Sequence, residues 1–243
     1  MEQIVIGRNP VLEALRADRN INKIYLARGM KIAATSDIIK LAREKQVPVH
    51  NVDRQFLEHM APGSVHQGVI AQVAPYAYVE LEDMLYAIKD EDPLLVLLDE
   101  VTDPHNLGAV IRTADAAGAH GVIIPKRRAA AVTPVVVKSS AGAVEFVPVA
   151  RVGNLVRTIE LLKERGIWVV GAHPDASQLV WDAPLLGPLA IVIGGEDKGL
   201  GRLVQEKCDL LVRLPMAGRV NSLNVSVAAA LVLFDVVRRR SRG

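Results

Sequence analysis

LPMAGRVNSLNVSVAAALVLFDVVRRR, residues Leu214 to Arg240, puts a strand end, a polar loop and an apolar helix into 27 consecutive residues. The apolar run LLVRL, Leu210 to Leu214, has strand length, and Pro215 stops it because a proline nitrogen cannot donate to a ladder. Gly218 admits tight backbone geometry, and NSLN, Asn221 to Asn224, offers side chains that can cap a helix starting at Val225. From Val225 to Val237 apolar residues recur at helical spacing. A long polar loop between two apolar elements is where binding or catalytic groups are expected, because the scaffold fixes loop side chains without covering them.

The residues before this stretch repeat the same alternation. PLLVLLD (Pro93 to Asp99) is a continuous apolar run of strand length, as in a sheet covered on both faces. The loop EVTDPHN follows, and LGAVIRTADAAGA then reads as a helix with Leu107, Val110, Ile111 and Ala114 on one face. GVIIP is the next strand, KRRAAAVTP a basic loop, VVVKSSAGA a short element and VEFVPV a further strand. NLVRTIELLKERG is a helix closed by Gly166, and IWVVGAH a strand. LAIVIGGEDKG runs from a strand into a glycine-rich turn, and LVQEKCD is a helix. Such alternation predicts an α/β domain with a mainly parallel sheet. Ligands of open α/β sheets bind beyond the carboxyl ends of strands, where three polar loops stand: DEVTDPHN, GGEDKG and PMAGRVNSLN. Neither G-x-G-x-x-G nor G-x-x-x-x-G-K occurs, which disfavours an NAD or ATP enzyme.

Upstream, Gln3 to Val73 reads as a small β-α-β-α-β-α-β unit: QIVIG, PVLEALRA, KIYLA, SDIIKLAREK, VPVHNV, RQFLEHM and GVIAQVA. HQGV, His66 to Val69, opens its last strand. The organisation expected is therefore a domain over 1–75, a connector over 76–92 and a larger domain over 93–243. Lys and Arg against Asp and Glu number 10 to 7, 1 to 6 and 18 to 14 in these three segments, so two basic bodies flank an acidic connector. The densest positive runs, Lys126 to Arg128 and Arg238, Arg239, Arg240 and Arg242, suit phosphate contacts, although the second also suits a helix C-terminus. Cys208 is the sole cysteine, which excludes an intrachain disulfide and fits the cytoplasm; a half-buried, unreactive thiol is its simplest reading. No signal-peptide pattern and no apolar run of membrane-spanning length is present, and the histidines are too scattered to suggest a metal.

The three loops resemble the three motifs of the SpoU class of RNA ribose 2'-O-methyltransferases, in the SPOUT superfamily. They stand here as DEVTDPHNLGAVIRTADAAGAHGVII, IVIGGEDKGL and LPMAGRVNSLNVSVAAALVLFDVVRR, in order, spanning Pro93 to Arg239. The N-terminal IGRNPVLEAL and its β/α unit resemble the ribosomal-protein-L30e-like substrate-binding domain of members that modify ribosomal RNA. The likeness is greatest to members methylating a guanosine ribose of the large-subunit ribosomal RNA. The resemblance implies a trefoil knot in the C-terminal domain, S-adenosylmethionine as methyl donor, an RNA substrate and a homodimer joined through the knotted domains. Transfer RNA as substrate, or a non-catalytic RNA-binding protein on this scaffold, are the alternatives.

The resemblance also implies site residues. Gly194, Leu214 and Leu223 are expected to hold the donor through backbone groups, with Gly195, Met216 and Ser222 beside them. Arg112 matches an arginine essential to the family. A guanidinium is always protonated, so Arg112 is expected to clamp the phosphate beside the target ribose and stabilise charge developing on the oxygen. Asn106 is expected to orient Arg112 or the ribose, Glu196 to partner Arg112 or the loops, and Ser222 and Asn224 to stand at the donor and the reacting ribose. Read without the resemblance, Arg112 is a surface residue of an Ala-rich helix, Glu196 a solvated turn residue, and Asn106, Ser222 and Asn224 are helix caps.

Overall fold

The computed structural model describes residues 3–17, 19–30, 35–196, 198–219 and 222–241. Asp197, Val220, Asn221 and Arg242, which entered the sequence reading, lie outside them. The chain forms two compact units, Met1–Ala77 with Val132–Phe146, and Tyr78–Ala131 with Val147–Gly243.

The first unit carries β1 (Gln3–Ile6), α1 (Arg8–Arg16), β2 (Ile21–Ala27), α2 (Ser36–Glu44), β3 (Val49–Val52), α3 (Arg54–Met60) and β4 (Val69–Val73). These are the seven elements expected. Its sheet has the order β1-β4-β2-β3, with β4 antiparallel to both neighbours and β3 parallel to β2. Val5, Ile24, Ile70 and Leu57 are fully buried in it. Segment 132–146, which the linear reading left in the larger domain, joins this unit. Its helix follows Thr133 over Pro134–Ser139 and packs on β1, and Arg19 pairs with Glu145 in an almost wholly buried ion pair. VEFVPV, expected as a strand, begins as a 3-10 turn at Ala143–Glu145, and the strand proper starts only at Val149, after Pro148. The apolar pattern is strand-like, but the buried pairing of Glu145 holds the backbone in the turn, and Pro148 has no N–H for a ladder.

The second unit begins with α4 (Leu81–Ala87), inside the segment read as a connector. Leu81 and Met84 belong to this unit's core. Then follow β5 (Leu94–Asp99), α5 (Pro104–Ala116) and β6 (Gly121–Pro125). Counting the inserted helix as α6, β7 (Val149–Val152), α7 (Leu155–Glu164), β8 (Trp168–Ala172), β9 (Gln178–Leu179), β10 (Leu189–Gly194), α8 (Arg202–Lys207), β11 (Leu210–Arg213) and α9 (Val225–Arg240) complete the chain. The seven-stranded sheet has the order β7-β6-β5-β10-β8-β11-β9, and every pairing in it is parallel. Leu94 to Leu98 are each no more than 1% exposed, as expected for a central strand covered on both faces. Burial of each such leucine contributes about 1.5–3 kcal/mol. The register Asp99↔Gly194 ends β5 and β10 at the same level, so the first and second polar loops leave the sheet side by side. α9 packs on α5 and on β10, which brings the third loop to the same edge.

The arginine run at the end of α9 serves the fold. Asp235, buried on α9, accepts from Arg238 and Arg239 at 2.6–2.9 Å. Arg239 also donates to the Trp181 carbonyl, and Arg240 to the carbonyls of Asp92, Pro93 and Gly187 at 2.7–3.0 Å. Burial pushes the Asp235 carboxyl up, but the hydrogen bonds and charges of Arg239 and Arg238 outweigh it, and the group ends below its ordinary value. Among the described residues no helix is long and apolar enough to cross a membrane.

Candidate functional site

At the carboxyl edge of the second sheet, three side chains from the three loops meet. Asp103 caps α5 by accepting from the His105 N–H at 3.0 Å, and Pro104 occupies the first helical position, where its missing N–H costs nothing. Asn106, expected as a cap, therefore lies within the first turn and is 7% exposed. Relieved of capping, its side chain turns to the second loop, and Nδ2 donates to Glu196 Oε1 at 2.9 Å. Asn224 Nδ2 donates to the same Glu196 oxygen at 2.7 Å and to Asn106 Oδ1 at 2.9 Å. Asn224 Oδ1 meanwhile caps α9, accepting from the Ser226 N–H at 2.9 Å and the Val227 N–H at 3.4 Å. One asparagine thus starts the helix and closes a polar triangle with residues 118 and 28 positions away.

The triangle stands beside two adjoining cavities. The larger, about 340 Å³, lies within the size range of small-molecule sites. Gly194, Gly195, Leu214, Met216, Ser222 and Leu223, all six residues expected at the donor, line it. Ile193, Val225 and Ala228 extend its apolar wall, and His173, Pro174 and Asp175 close it from the end of β8. The smaller, about 200 Å³, is lined by Glu100, Val101, Thr102, Asp103, Asn106 and the turn that carries Glu196. Gly195, Glu196, Lys198, Gly199 and Val225 line both, so Glu196 stands at their shared wall.

The glycine turn after β10 is built for close backbone approach. A Cβ on Gly194 would lie 2.1 Å from the Gly199 carbonyl carbon, and one on Gly195 would lie 2.5 Å from the Glu100 oxygen. The Gly195 N–H donates to the Asp99 carbonyl at 2.8 Å, and the Gly201 N–H donates to Asp99 Oδ2 at 2.7 Å. Asp99 therefore pins both ends of the turn. Burial pushes its carboxyl above the ordinary value, the Gly201 N–H opposes this, and repulsion from Glu100 adds to it. Glu100 itself has φ +55°, an unfavourable left-handed conformation for a non-glycine residue, at the point where the chain leaves β5 for the site.

Sequence reasoning missed Asp99 and the fourth loop, His173 to Asp175. The first had a visible signal, a carboxylate closing an otherwise apolar strand. The second had one too, the polar AHPDAS after IWVVGA. Arg112 is not brought into the triangle. It is exposed on α5, lines neither cavity and, among the described residues, makes no hydrogen bond or ion pair.

Residues 93–234 match the SpoU rRNA Methylase family, and residues 4–79 match the domain described as RNA 2'-O ribose methyltransferase substrate binding. YacO of Bacillus subtilis, assigned to the TrmH family of tRNA/rRNA methyltransferases, is 51% identical over 98% of this chain and 96% of its own length. Among solved structures, the SpoU methyltransferase AviRb from Streptomyces viridochromogenes, in complex with the cofactor AdoMet, superposes with a TM-score of 0.85. It is 30% identical, covering 100% of this chain and 92% of its own. An AdoMet-bound rRNA methyltransferase from Sinorhizobium meliloti superposes with a TM-score of 0.82 at 27% identity, over 98% and 87% of the two chains. With its three loops joined at one sheet edge and both halves of its sequence matched, the chain belongs to the SpoU rRNA methylase family.

Proposed function

We propose that this protein transfers a methyl group from S-adenosylmethionine to a ribose 2'-hydroxyl of RNA, with a guanosine of large-subunit ribosomal RNA as the target. The observation that carries the reading is the Asn106–Glu196–Asn224 triangle at the wall shared by two cavities. Transfer to a hydroxyl is an in-line displacement, so donor and acceptor need separate chambers that open toward one another. The larger chamber fits the donor: apolar walls at Ile193, Leu214 and Leu223 suit an adenine, and the carboxylates of Glu196 and Asp175 suit its cationic groups. When bound, S-adenosylmethionine supplies an electrophilic methyl on a sulfonium.

The smaller chamber is the proposed ribose site. Asn106 and Asn224 hold the Glu196 carboxylate in place, so that it orients the hydroxyl from the boundary of the two chambers. Ser222 stands on the donor side. Arg112 is assigned to the phosphate beside the reacting ribose, where a fixed cation also favours negative charge growing on the oxygen. That it lines neither cavity of its own chain supports a homodimer in which a second copy completes the site. So does α9, where Val227, Leu231 and Phe234 stand 41–48% exposed at a spacing of four and three residues. The reading includes the trefoil knot, with α9 threaded back through a loop, and a cytoplasmic location. Ribosomal RNA is favoured over transfer RNA because the Sinorhizobium structure named for rRNA matches both units of this chain.

The test is transfer of tritium from labelled S-adenosylmethionine to purified large-subunit ribosomal RNA and, separately, to transfer RNA, followed by mass mapping of the methylated ribose. Arg112→Ala is expected to abolish transfer while leaving the thermal melt unchanged. Full activity in that variant would remove Arg112 from the mechanism, and transfer to tRNA alone would overturn the substrate.

A further inference from the structure

A third cavity, of about 390 Å³, lies wholly within the first unit, lined by Arg8, Arg28, Arg54, Gln67 and an apolar floor that includes Ala27 and Met30. Three guanidiniums and no carboxylate line it. Arg28 is partly neutralised by Asp53 at 3.3 Å, but both groups are exposed and the pair is screened. Arg8 and Arg54 make no side-chain hydrogen bond or ion pair among the described residues. A pocket with two uncommitted guanidiniums is an anion site in charge, and its apolar floor offers a surface to a flat ring.

The turn beside the pocket is constructed by the HQG sequence that opens β4. His66 is 3% exposed, and its Nδ1 accepts from the Gly68 N–H at 3.0 Å, which puts the ring proton on Nε2, 3.4 Å from Glu58. Gln67 is held at φ +52° and Gly68 at φ +79°, both in the left-handed region. Any side chain at position 68 would meet the Met30 sulfur at 2.6 Å. Gln67 Oε1 accepts from the Arg8 N–H at 3.4 Å, so the strained turn is tied to the first residue of α1 and presents its amide at the cavity. A glycine-dependent turn with two successive left-handed residues, set beside three arginines, fits a binding site.

We propose that this pocket binds one unpaired nucleotide of the substrate RNA, its phosphodiester held by Arg8 and Arg54 and its base resting on the Ala27–Met30 floor. Single-stranded RNA is recognised by this pairing of phosphate contacts with a platform for unstacked bases. The proposal rests on the reading of the protein as an RNA methyltransferase and names the part of the first unit that grips the substrate. Salt dependence reads it directly, because each phosphate contact to a single strand adds about 0.7 to the slope of log K against log salt.

The experiment uses the full chain with a labelled 20-nucleotide oligouridylate and with large-subunit ribosomal RNA. Arg8→Ala with Arg54→Ala is expected to weaken oligouridylate binding roughly tenfold and to reduce the slope by about 0.7, the contribution of the one phosphodiester that the two residues hold. KM for ribosomal RNA rises with kcat and S-adenosylmethionine affinity unchanged. Lys40→Ala with Arg43→Ala, an equal charge change on exposed positions of α2, leaves both affinity and slope as they were. Arg54→Glu alone, at an exposed site, repeats the loss without disturbing α1. Unchanged affinity and slope in the first double variant, or an equal loss in the α2 control, would overturn the pocket. Oligouridylate binding that depends on Arg8 and Arg54 in a protein that methylates no RNA would sink the catalytic reading and leave the pocket standing.

Discussion

Asn224 offers the sharpest separation of helix capping from site assembly, because its two ends do different things. Oδ1 caps α9 through Ser226 and Val227, while Nδ2 bridges Glu196 and Asn106. Asn224→Ala removes both functions: about 1 kcal/mol for the cap, and about 1–3 kcal/mol for leaving the buried Asn106 oxygen without a donor. A total near 3 kcal/mol lowers the melting temperature by about 6–12 °C in a chain of this size. Asn224→Asp keeps the cap, since a carboxylate accepts the same two N–H groups, but sets a second negative charge against the Glu196 oxygen now 2.7 Å from Nδ2. Repulsion between carboxylates about 4 Å apart lies between about 1 and 4 kcal/mol, depending on how far water screens it. Such a pair binds a proton more tightly folded than unfolded, so its folded pKa is raised. Its penalty is therefore full at neutral pH and fades as pH falls through the raised value. Thermal melts of the wild type and both variants at about pH 7.5 and about pH 5, with S-adenosylmethionine affinity by calorimetry, measure this. Asn224→Asp should approach the wild type at the lower pH and bind the donor weakly at the higher. An Asn224→Ala cost no larger than the cap alone, together with an Asn224→Asp variant equal to wild type at both pH values, would refute the joined triangle.

Burial, with help from Asp209, pushes the Cys208 thiol up to about 12, against an ordinary 9.0. The native protein should then react with iodoacetamide at about pH 8 roughly a thousandfold more slowly than the unfolded chain, as followed by mass spectrometry. Asp235→Asn leaves Arg238 and Arg239 without their buried carboxylate and should cost about 2–3 kcal/mol at neutral pH, less than a fully buried pair because Arg238 is half exposed. Because the folded pKa of Asp235 is depressed, that difference should vanish as pH falls below the ordinary carboxylate range, which urea titrations at several pH values test. Leu231→Glu, on the exposed stripe of α9, should yield a monomer in sedimentation and abolish methyl transfer; a dimer of full activity would place the interface elsewhere.

Much of the architecture was legible because it is written in short-range patterns. The run Leu94 to Leu98 has no polar break, so it reads as a central parallel strand, and the polar loops after β5, β10 and β11 read as the ligand edge. What joins those loops is not short-range. Asn106 and Glu196 are 90 residues apart, and only the β5–β10 register makes them neighbours. Capping and a site role for Asn224 could not be ranked from sequence, and in the structure it caps α9 while also bonding Glu196 and Asn106. Charge runs were the least transferable signal: Arg239 and Arg240 look like phosphate ligands but donate to main-chain carbonyls. HQGV looked like the start of a strand, and only the fold sets its Gln67 and Gly68 beside Arg8, Arg28 and Arg54, which come from different parts of the chain.

The excursion of 132–146 into the first unit has a consequence for any attempt to take the protein apart. The chain passes from one unit to the other three times, so no single cut yields two intact pieces. A fragment ending near residue 77 would retain Arg19 but lose the Glu145 carboxylate that its guanidinium meets in the interior, and would leave the face of β1 under α6 uncovered. The complementary fragment would carry Val136, Val137 and Val144, fully buried in the whole protein, into water. The two units can therefore be probed separately by point substitution but not by truncation, and a protease cutting near residue 77 should leave the two products associated until the protein is denatured.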